Sequence, residues 1–573
     1  MVPYIWDQQT CDDGQVKALA AALNLSPIVA RVLCLRGLGA PDEAERFLHP
    51  SLAHLHDPFT LTDMSAAVDR TLASIARRER IAIHGDYDVD GITSTVILRR
   101  ALELLGAEVV HFIPDRIRDG YGLLPATIER LHAQSVALII SVDCGIRGME
   151  AALRARELGV DLIITDHHEP GAALPAAFAV INPKRHDCGY PDKHLAGVGV
   201  ALKFVHALCL RSQRERWLPA FVKVAAIGTL ADVVPLIGEN RVIAKLGLEM
   251  LSKGPNKIGL RALLDISGLG DRTLDSSHVA FAIAPRVNAA GRMSTPDIAA
   301  RLLLAVDETM GAEARQLAEQ LDGENTRRQQ EEATVIAAAR RIVETDPDVG
   351  ARSVLVVAGD GWHRGVIGIV ASKLVEGYHR PAIVLSIEED VAHGSCRSIP
   401  GFDMLAALES CSPMFLRFGG HKQAAGLTME AARVRELRAA INTYADTRLG
   451  PDDLRPRLRI DGAVTFRGLN GDVAHQVSQL APFGAGNPRP TFSAAGVEII
   501  DGPRALKERH LKMALRQDGR TFRAVAWRAI ERQAFLEEHR ARLDFAFSLE
   551  QNTFNGETYL ELTVADARPP NDR

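Results

Sequence analysis

The chain has 573 residues, of which 47% are hydrophobic and 24% charged, with a formal net charge of −5. That length predicts three or four domains of about 100–200 residues each, with a composition ordinary for a soluble globular protein. The charge excludes a globally basic nucleic-acid binder, so any polyanion would have to be met by local patches.

Seven scattered cysteines (Cys11, Cys34, Cys144, Cys188, Cys209, Cys396, Cys411) contain no CxxC pair. A disulfide framework is therefore not expected, and a reducing cytoplasmic compartment is. The opening MVPYIWDQQTCDDG lacks the basic and apolar regions of a signal peptide. No apolar run reaches about 18 residues, so no membrane span is expected.

Residues 1–60 are set apart as an N-terminal segment. From there to residue 298 the pattern predicts an α/β domain. IAIHG (81–85), VVHFIP (109–114), ALIISVD (137–143), LIIT (162–165) and FAVIN (178–182) read as near-continuous apolar strands. TSTVILRRALELLG, LPATIERLHAQ and GMEAALRARELG between them have helical periodicity, and Gly106 and Gly159 act as helix stops. Apolar strands alternating with helices predict a parallel sheet covered on both faces. Residues 195–265 read as helical, and 299–345 as a long helical connector. A second α/β domain follows at 346–450, from SVLVVAGD, the helix GVIGIVASKLVEGY and the strand PAIVLSI. Short strands split by turns over 451–573 predict a small β-barrel. The fold class is thus α/β and multidomain, with a C-terminal barrel.

In an open parallel sheet, ligands lie beyond the carboxyl ends of the strands. After the first strand come His84, Asp86, Asp88 and Asp90; after the second, Asp115, Arg116 and Arg118. After the third comes Asp143, and after the fourth come Asp166, His167 and His168. Each group alone has an ordinary explanation as a solvated loop or a cap. Jointly, so many carboxylates and imidazoles at one edge would repel unless cations neutralised them. Carboxylate and imidazole without thiolate suit Mn²⁺ or Mg²⁺, and Cys144 and Cys188 are expected to pack.

HGDYDVDG, SVDCG and TDHHE, with Asp232 in GTLADVVPL, resemble the four motifs of the DHH phosphoesterases. PRVNAAGRM (285–293), WHRGVIGIVASKL (362–374), GSCRSIPGFDM (394–404), FGGHKQAAGLT (418–428) and LAPFGAGNPRPTF (480–492) resemble the single-stranded-DNA exonucleases of that family. The resemblance spans about residues 60 to 565, departing at Cys396, Met293 and Lys373. It implies two divalent ions, Mn²⁺ or Mg²⁺, about 3.5–4 Å apart, activating water for in-line displacement at phosphorus. His84, Asp88 and Asp143 would hold one. Asp90, Asp143, His167 and Asp232 would hold the other, with Asp143 bridging and Asp86 either a ligand or a support behind the ligands. His168 would face phosphate, and Asp166 would orient an imidazole from behind.

The resemblance further implies that Arg116, Arg286, Ser395 and Arg397 hold a terminal 5′-phosphate, guanidinium forks suiting phosphate bidentately. His421, behind Gly419 and Gly420, would contact phosphate near the scissile bond, and the apolar segment after it could open a helix toward phosphate. The second α/β domain would be of the DHH-associated (DHHA1) type, and the barrel an OB-fold. Residues 501–532 carry nine Lys/Arg against four Asp/Glu, which fits a single-strand path. There Phe522 and Trp527 are each expected either to stack on bases or to fill the core.

The implied function is a monomeric 5′→3′ exonuclease releasing 5′-mononucleotides from single-stranded DNA in recombination and repair. Its partners would be single-strand-binding protein and a RecQ-type helicase. The rivals are a DHH phosphodiesterase acting on oligoribonucleotides or cyclic dinucleotides, which lacks the LAPFGAGNPRP segment, and a non-catalytic scaffold, which need not keep every metal residue.

Overall fold

The computed structural model describes residues 4–570, apart from 116–117, 121, 255 and 555–556. The chain divides into two compact units, Gln8–Asp322 with Ile460–Arg573, and Met1–Asp7 with Gly323–Arg459.

In the larger unit, strands β1 (Arg80–His84), β2 (Val109–Phe112), β3 (Val136–Val142), β4 (Asp161–Thr165) and β5 (Ala179–Ile181) form the expected parallel sheet. Their order is β2-β1-β3-β4-β5. Helices α1 (Val89–Leu104), α2 (Pro125–His132) and α3 (Met149–Glu157) connect the strands, and α4 (Gly197–Arg211), α5 (Leu218–Ala231) and α6 (Gly238–Lys253) follow. Successive residues of a strand face opposite sides, and here both sides are dry. Ile81, Ile83, Leu138 and Ile140 join Leu98 of α1 and Phe204 of α4 in one cluster. Ala82, Ile139, Leu162 and Ile164 join Ile128 of α2 and Ala152 of α3 in another. Burying each such large aliphatic side chain contributes roughly 1.5–3 kcal/mol, which is why these strands read as unbroken apolar runs.

Helix α1 begins four residues before its periodic stretch. Asp88 is the reason: its carboxylate accepts the Gly91 N–H at 3.0 Å and caps the helix. The acidic motif is thus partly the first turn of a helix.

The C-terminal strands form a barrel. Gly462–Ala463, Phe492–Leu506, His510–Gln517, Arg520–Ala526, Glu557–Arg568 and Leu543–Phe554 are neighbours in that order, and Phe492–Leu506 closes onto Leu543–Phe554. Phe466, Phe522 and Phe547 meet edge to face in its core. Among the described residues, the helices of the N-terminal segment do not build a core of their own. Helices Asp13–Leu23, Pro27–Leu35 and Pro41–Leu48 add Leu19, Leu33 and Phe47 to the barrel's apolar cluster.

The other unit holds a mixed sheet. Phe415–Gly420, Ala424–Glu430, Val391–Arg397, Ala382–Glu388 and Leu355–Asp360 lie in that order, and the last two are the parallel pair. The helix anticipated from GVIGIVASKLVEGY is Ile367–Tyr378. The segment after His421 does not open a helix. Gly419 pairs with Gly426 and Gly420 with Ala425 in an antiparallel hairpin, whose cross-strand bonds override any helical tendency of the alanines. The connector consists of Asp297–Leu304 and the 35-residue helix Gly311–Thr345, inside which the division between the units falls. Among the described residues, no single helix is long and apolar enough to cross a membrane.

Candidate metal centre

Strands β1, β3 and β4 end side by side and deliver the site. After β1 the chain doubles back tightly onto the start of α1. A Cβ on Gly91 would sit 2.5 Å from the backbone N and O of Asp86. Only glycine permits this fold-back, which brings Asp86, Asp88 and Asp90 to one edge. From the far side Asn288 accepts the Val89 N–H at 3.2 Å, and a Cβ on Gly291 would meet the Tyr87 carbonyl at 2.4 Å. The PRVNAAGRM segment therefore braces the acidic loop, a role sequence reasoning missed because it weighed only the arginine there.

Asp143, at the end of β3, adopts a left-handed backbone with φ +59°. Aspartate is among the few side chains that tolerate this region. Asp90 is buried and accepts the first two N–H groups of α4, from Gly197 at 2.7 Å and Val198 at 2.6 Å. The positive end of a helix is thus aimed at a carboxylate. A Cβ on Gly197 would lie 2.3 Å from Asp143 Oδ1, so α4 abuts both acids. Neither Gly197 nor this docking was legible beforehand.

Three sets of ligand atoms converge within 4.8 Å of one another: Asp86, Asp88 and Asp143; Asp90, His167 and Asp232; and Asp143, His167 and His168. His167 Nε2 lies 3.3 Å from Asp143, 3.7 Å from Asp232 and 4.0 Å from Asp90. The first set includes Asp86 rather than His84. The His84 ring is fully buried and stacks on Phe112 at 5.6 Å.

Several buried atoms here have no hydrogen-bond partner: Asp143 Oδ1, Asp232 Oδ2 and both ring nitrogens of His84, which the Gly122 backbone approaches without bonding geometry. Unsatisfied buried acceptors are costly. In a set of carboxylates and imidazoles without thiolate, they fit hard divalent cations such as Mn²⁺ and Mg²⁺.

The electrostatics agree. Burial, then the charges of Asp90, Asp88, Asp86 and Asp232, pushes Asp143 well above the carboxylate range. Burial, then Asp232 and Asp88, does the same to Asp90 despite its two N–H bonds. Burial, then Asp88, raises Asp232 to about 7. Burial, then His168, lowers His167 to about 4, leaving it neutral and able to ligate. Burial lowers His84 likewise, to about 4. Cys144 is buried and burial pushes its thiol up, so it packs as a neutral side chain.

A pH dependence follows. An unfolded aspartate titrates near 3.9, whereas Asp232 in the metal-free fold titrates at about 7. Between those values the folded Asp232 carboxyl holds a proton that the unfolded one has lost, so this carboxyl's own contribution to stability falls as pH rises through the window. A divalent ion replaces that proton. The Mn²⁺-induced rise in melting temperature is expected to grow as pH rises from 5 through about 7. Melts with and without Mn²⁺ check this, and a pH-independent increment would count against it.

Behind the cluster, Asp166 accepts the N–H groups of His167 (2.7 Å), His168 (3.0 Å) and Ile146 (2.9 Å), and its Oδ1 lies 2.7 Å from His168 Nδ1. Burial alone would raise this carboxyl, but its bonds to His168 outweigh that and hold it low. For His168 burial would lower the ring, and Asp166 reverses the direction.

The residues expected at a terminal phosphate are distributed between the units. Arg116 lies outside the described residues. Arg286 follows a π-helical turn, Val279–Ile283, and donates to Asp322 at 2.9 Å and to the Ala282 carbonyl at 2.8 Å. Ser395 and Arg397 share one face of strand Val391–Arg397, while Cys396 between them points into the core. Arg397 Nη1 donates to Ser395 Oγ at 3.3 Å. A Cβ on Gly368 would lie 3.0 Å from that oxygen, so the first turn of helix Ile367–Tyr378 comes close to the pair. His421 is exposed at its hairpin turn. Lys373 pairs with Glu332. In the barrel Phe522 is buried, whereas Trp527 is exposed and edge-on to His510.

Three family models match the chain: the DHH family N-terminal domain over residues 80–229, the DHHA1 domain over 351–447 and the RecJ OB domain over 460–566. The single-stranded-DNA-specific exonuclease RecJ of Bacillus subtilis (strain 168) is 38% identical over 565 residues, covering 98% of this chain and 70% of that protein. The crystal structure of RecJ in complex with Mn²⁺ from Thermus thermophilus superposes with a TM-score of 0.84 at 33% identity, covering 99% of this chain and 80% of that one. The Mg²⁺ complex from the same organism gives 0.78 at 31%, covering 99% and 78%.

Proposed function

This chain belongs to the RecJ family, and on that premise we propose that it is a single-stranded-DNA-specific exonuclease cutting from the 5′ end with two divalent metal ions, Mn²⁺ or Mg²⁺. The observation that carries the chemistry is the convergence of Asp86, Asp88, Asp90, Asp143, His167 and Asp232, with partnerless buried oxygens on Asp143 and Asp232. When bound, the ions supply Lewis acidity toward the phosphodiester and lower the pKa of water.

The chain's own residues do the rest. Asp143 belongs to more than one of the converging sets and would be shared by both ions. His167 stays neutral and offers Nε2, while Asp90 is fixed by two helix N–H groups. Asp166 orients His168 through Nδ1, leaving Nε2 to donate toward a phosphoryl oxygen. His84, whose two buried ring nitrogens have no hydrogen-bond partner, is proposed as a ligand beside Asp88 and Asp143. Ser395, Arg397 and the nearby first turn of helix Ile367–Tyr378 offer hydroxyl, guanidinium and helix N–H groups suited to a terminal phosphate. Arg116, Arg286 and His421 are further phosphate contacts in the same proposal. Trp527 is available for base stacking, and Phe522 is not. The same proposal has the enzyme working as a cytoplasmic monomer in recombination and repair, beside single-strand-binding protein and a RecQ-type helicase.

Single strands labelled at either end, with and without a 5′-phosphate, test the polarity. Label is expected to leave the 5′ end first, and Arg397→Ala is expected to raise KM for the phosphorylated strand by roughly 10- to 100-fold, the worth of a charge-assisted bond. Equal attack from both ends would overturn the polarity.

A further inference from the structure

Asp90 is held by two N–H bonds, but Asp232 Oδ2 has no hydrogen-bond partner. The aim of that carboxylate must therefore come from its backbone. Asp232 caps α5, Val233 turns left-handed at φ +62°, and Pro235 and Leu236 lead to α6. This loop lies against residues 484–486, the turn that leads into the barrel. The Leu236 N–H donates to the Ala485 carbonyl at 2.8 Å. A Cβ on Gly484 would meet Leu236 Cδ1 at 2.8 Å. Gly486, at φ +68°, would place a Cβ 2.8 Å from Pro235 Cβ and 3.1 Å from its Cα.

The turn is itself rigidly held. Gly484 and Asn487 exchange backbone bonds at 2.9 and 3.1 Å. The Asn487 side chain donates to the Leu480 and Pro482 carbonyls at 2.8 and 2.7 Å. Arg241 of α6 donates to the carbonyls of Leu480, Gln479 and Ala481 at 2.9, 3.2 and 3.0 Å. On the opposite side Asn240 donates to the Pro235 carbonyl at 3.1 Å and accepts from the Ala196 N–H at 3.3 Å, next to the Gly197 that binds Asp90.

We propose that the turn Gly484–Asn487 is a positioning element for the metal centre. It fixes Pro235–Leu236, and through them Asp232, in register with Asp90. The barrel then completes the catalytic domain as well as serving a DNA strand. This rests on Asp232 being a metal ligand.

The test is Mn²⁺ binding to the full chain, read by the electron-spin signal of free Mn²⁺ and by calorimetry. Gly486→Ala is expected to weaken binding by about 10- to 100-fold, the usual range for groups that orient ligands. At saturating Mn²⁺ its KM for DNA stays at the parent value. Gly484→Ala acts in the same direction and serves if the first variant does not fold. Gly519→Ala is the control: it imposes the same left-handed strain, at φ +77°, in the same barrel with nothing within 4 Å of the new methyl, and it keeps the parent Mn²⁺ affinity. Parent affinity in folded Gly486→Ala, or equal weakening in Gly519→Ala, overturns the positioning role. If Asp232→Asn binds Mn²⁺ as the parent does, the ligand assignment fails and the positioning role with it. If Asp232→Asn weakens binding and both turn variants do not, the positioning role alone fails.

Discussion

Replacing Asp143 by asparagine is expected to lower kcat by at least about a thousandfold while raising the melting temperature of the metal-free protein. Asp143 is 2% exposed, and burial followed by four neighbouring aspartates drives its carboxyl upward. A neutral amide of the same shape removes that repulsion, and asparagine tolerates the left-handed φ of +59° as aspartate does. The same exchange removes the shared carboxylate of the converging sets. Activity and stability should therefore move in opposite directions. Melts without metal and turnover at saturating Mn²⁺ check both. Parent turnover, or a lower metal-free melting temperature, contradicts the assignment.

Arg241→Met is expected to destabilise the larger unit by about 3–5 kcal/mol. Arg241 is 1% exposed and donates to the Phe47, Leu480, Gln479 and Ala481 carbonyls. Its guanidinium lies over the Phe47 ring at 3.5 Å. Burial, then Arg36, lowers it to about 9, so it is still charged at neutral pH. Methionine fills much of the volume but leaves four carbonyls without this donor. Those carbonyls belong to an N-terminal helix and to the entry of the barrel, so both should loosen together from α6. Urea unfolding gives the magnitude, and limited proteolysis should cut first near 479–488. A loss within about 0.5 kcal/mol, the scale of an ordinary surface change, would contradict this.

Much of the catalytic domain was legible because its signals are local. Two-sided burial makes each strand an apolar run, and the run stops where acids and histidines begin. Carboxylates and imidazoles collected at one edge announce cations whatever the details. The barrel strands were legible as short strands split by turns, which is again a local signal. What the sequence left unread were details that depend on how segments meet. His84 and Asp86 are two residues apart, and only the fold shows that Asp86 converges with Asp88 and Asp143 while the His84 ring stacks on Phe112. For Phe522 and Trp527 the sequence left base stacking and core filling equally open, and barrel closure buried the first and exposed the second. The GGHKQAAG segment lost its anticipated helix to a hairpin within itself, Gly419 on Gly426 and Gly420 on Ala425, and to pairing of its second half with strand Val391–Arg397.

By itself the sequence determined the parallel sheet, the barrel, and an acidic and histidine-rich edge suited to divalent ions. Only the tertiary structure decided how that edge is held. Helix α4 places its N–H groups on Asp90, Asn288 steadies the acidic loop, and Arg241 binds a turn 239 residues away along the chain. The physical reason is that periodicity records which face of an element is dry, a property of neighbouring residues. A backbone carbonyl or N–H has no side-chain identity, so a bond to one from a distant segment leaves almost no mark on the sequence.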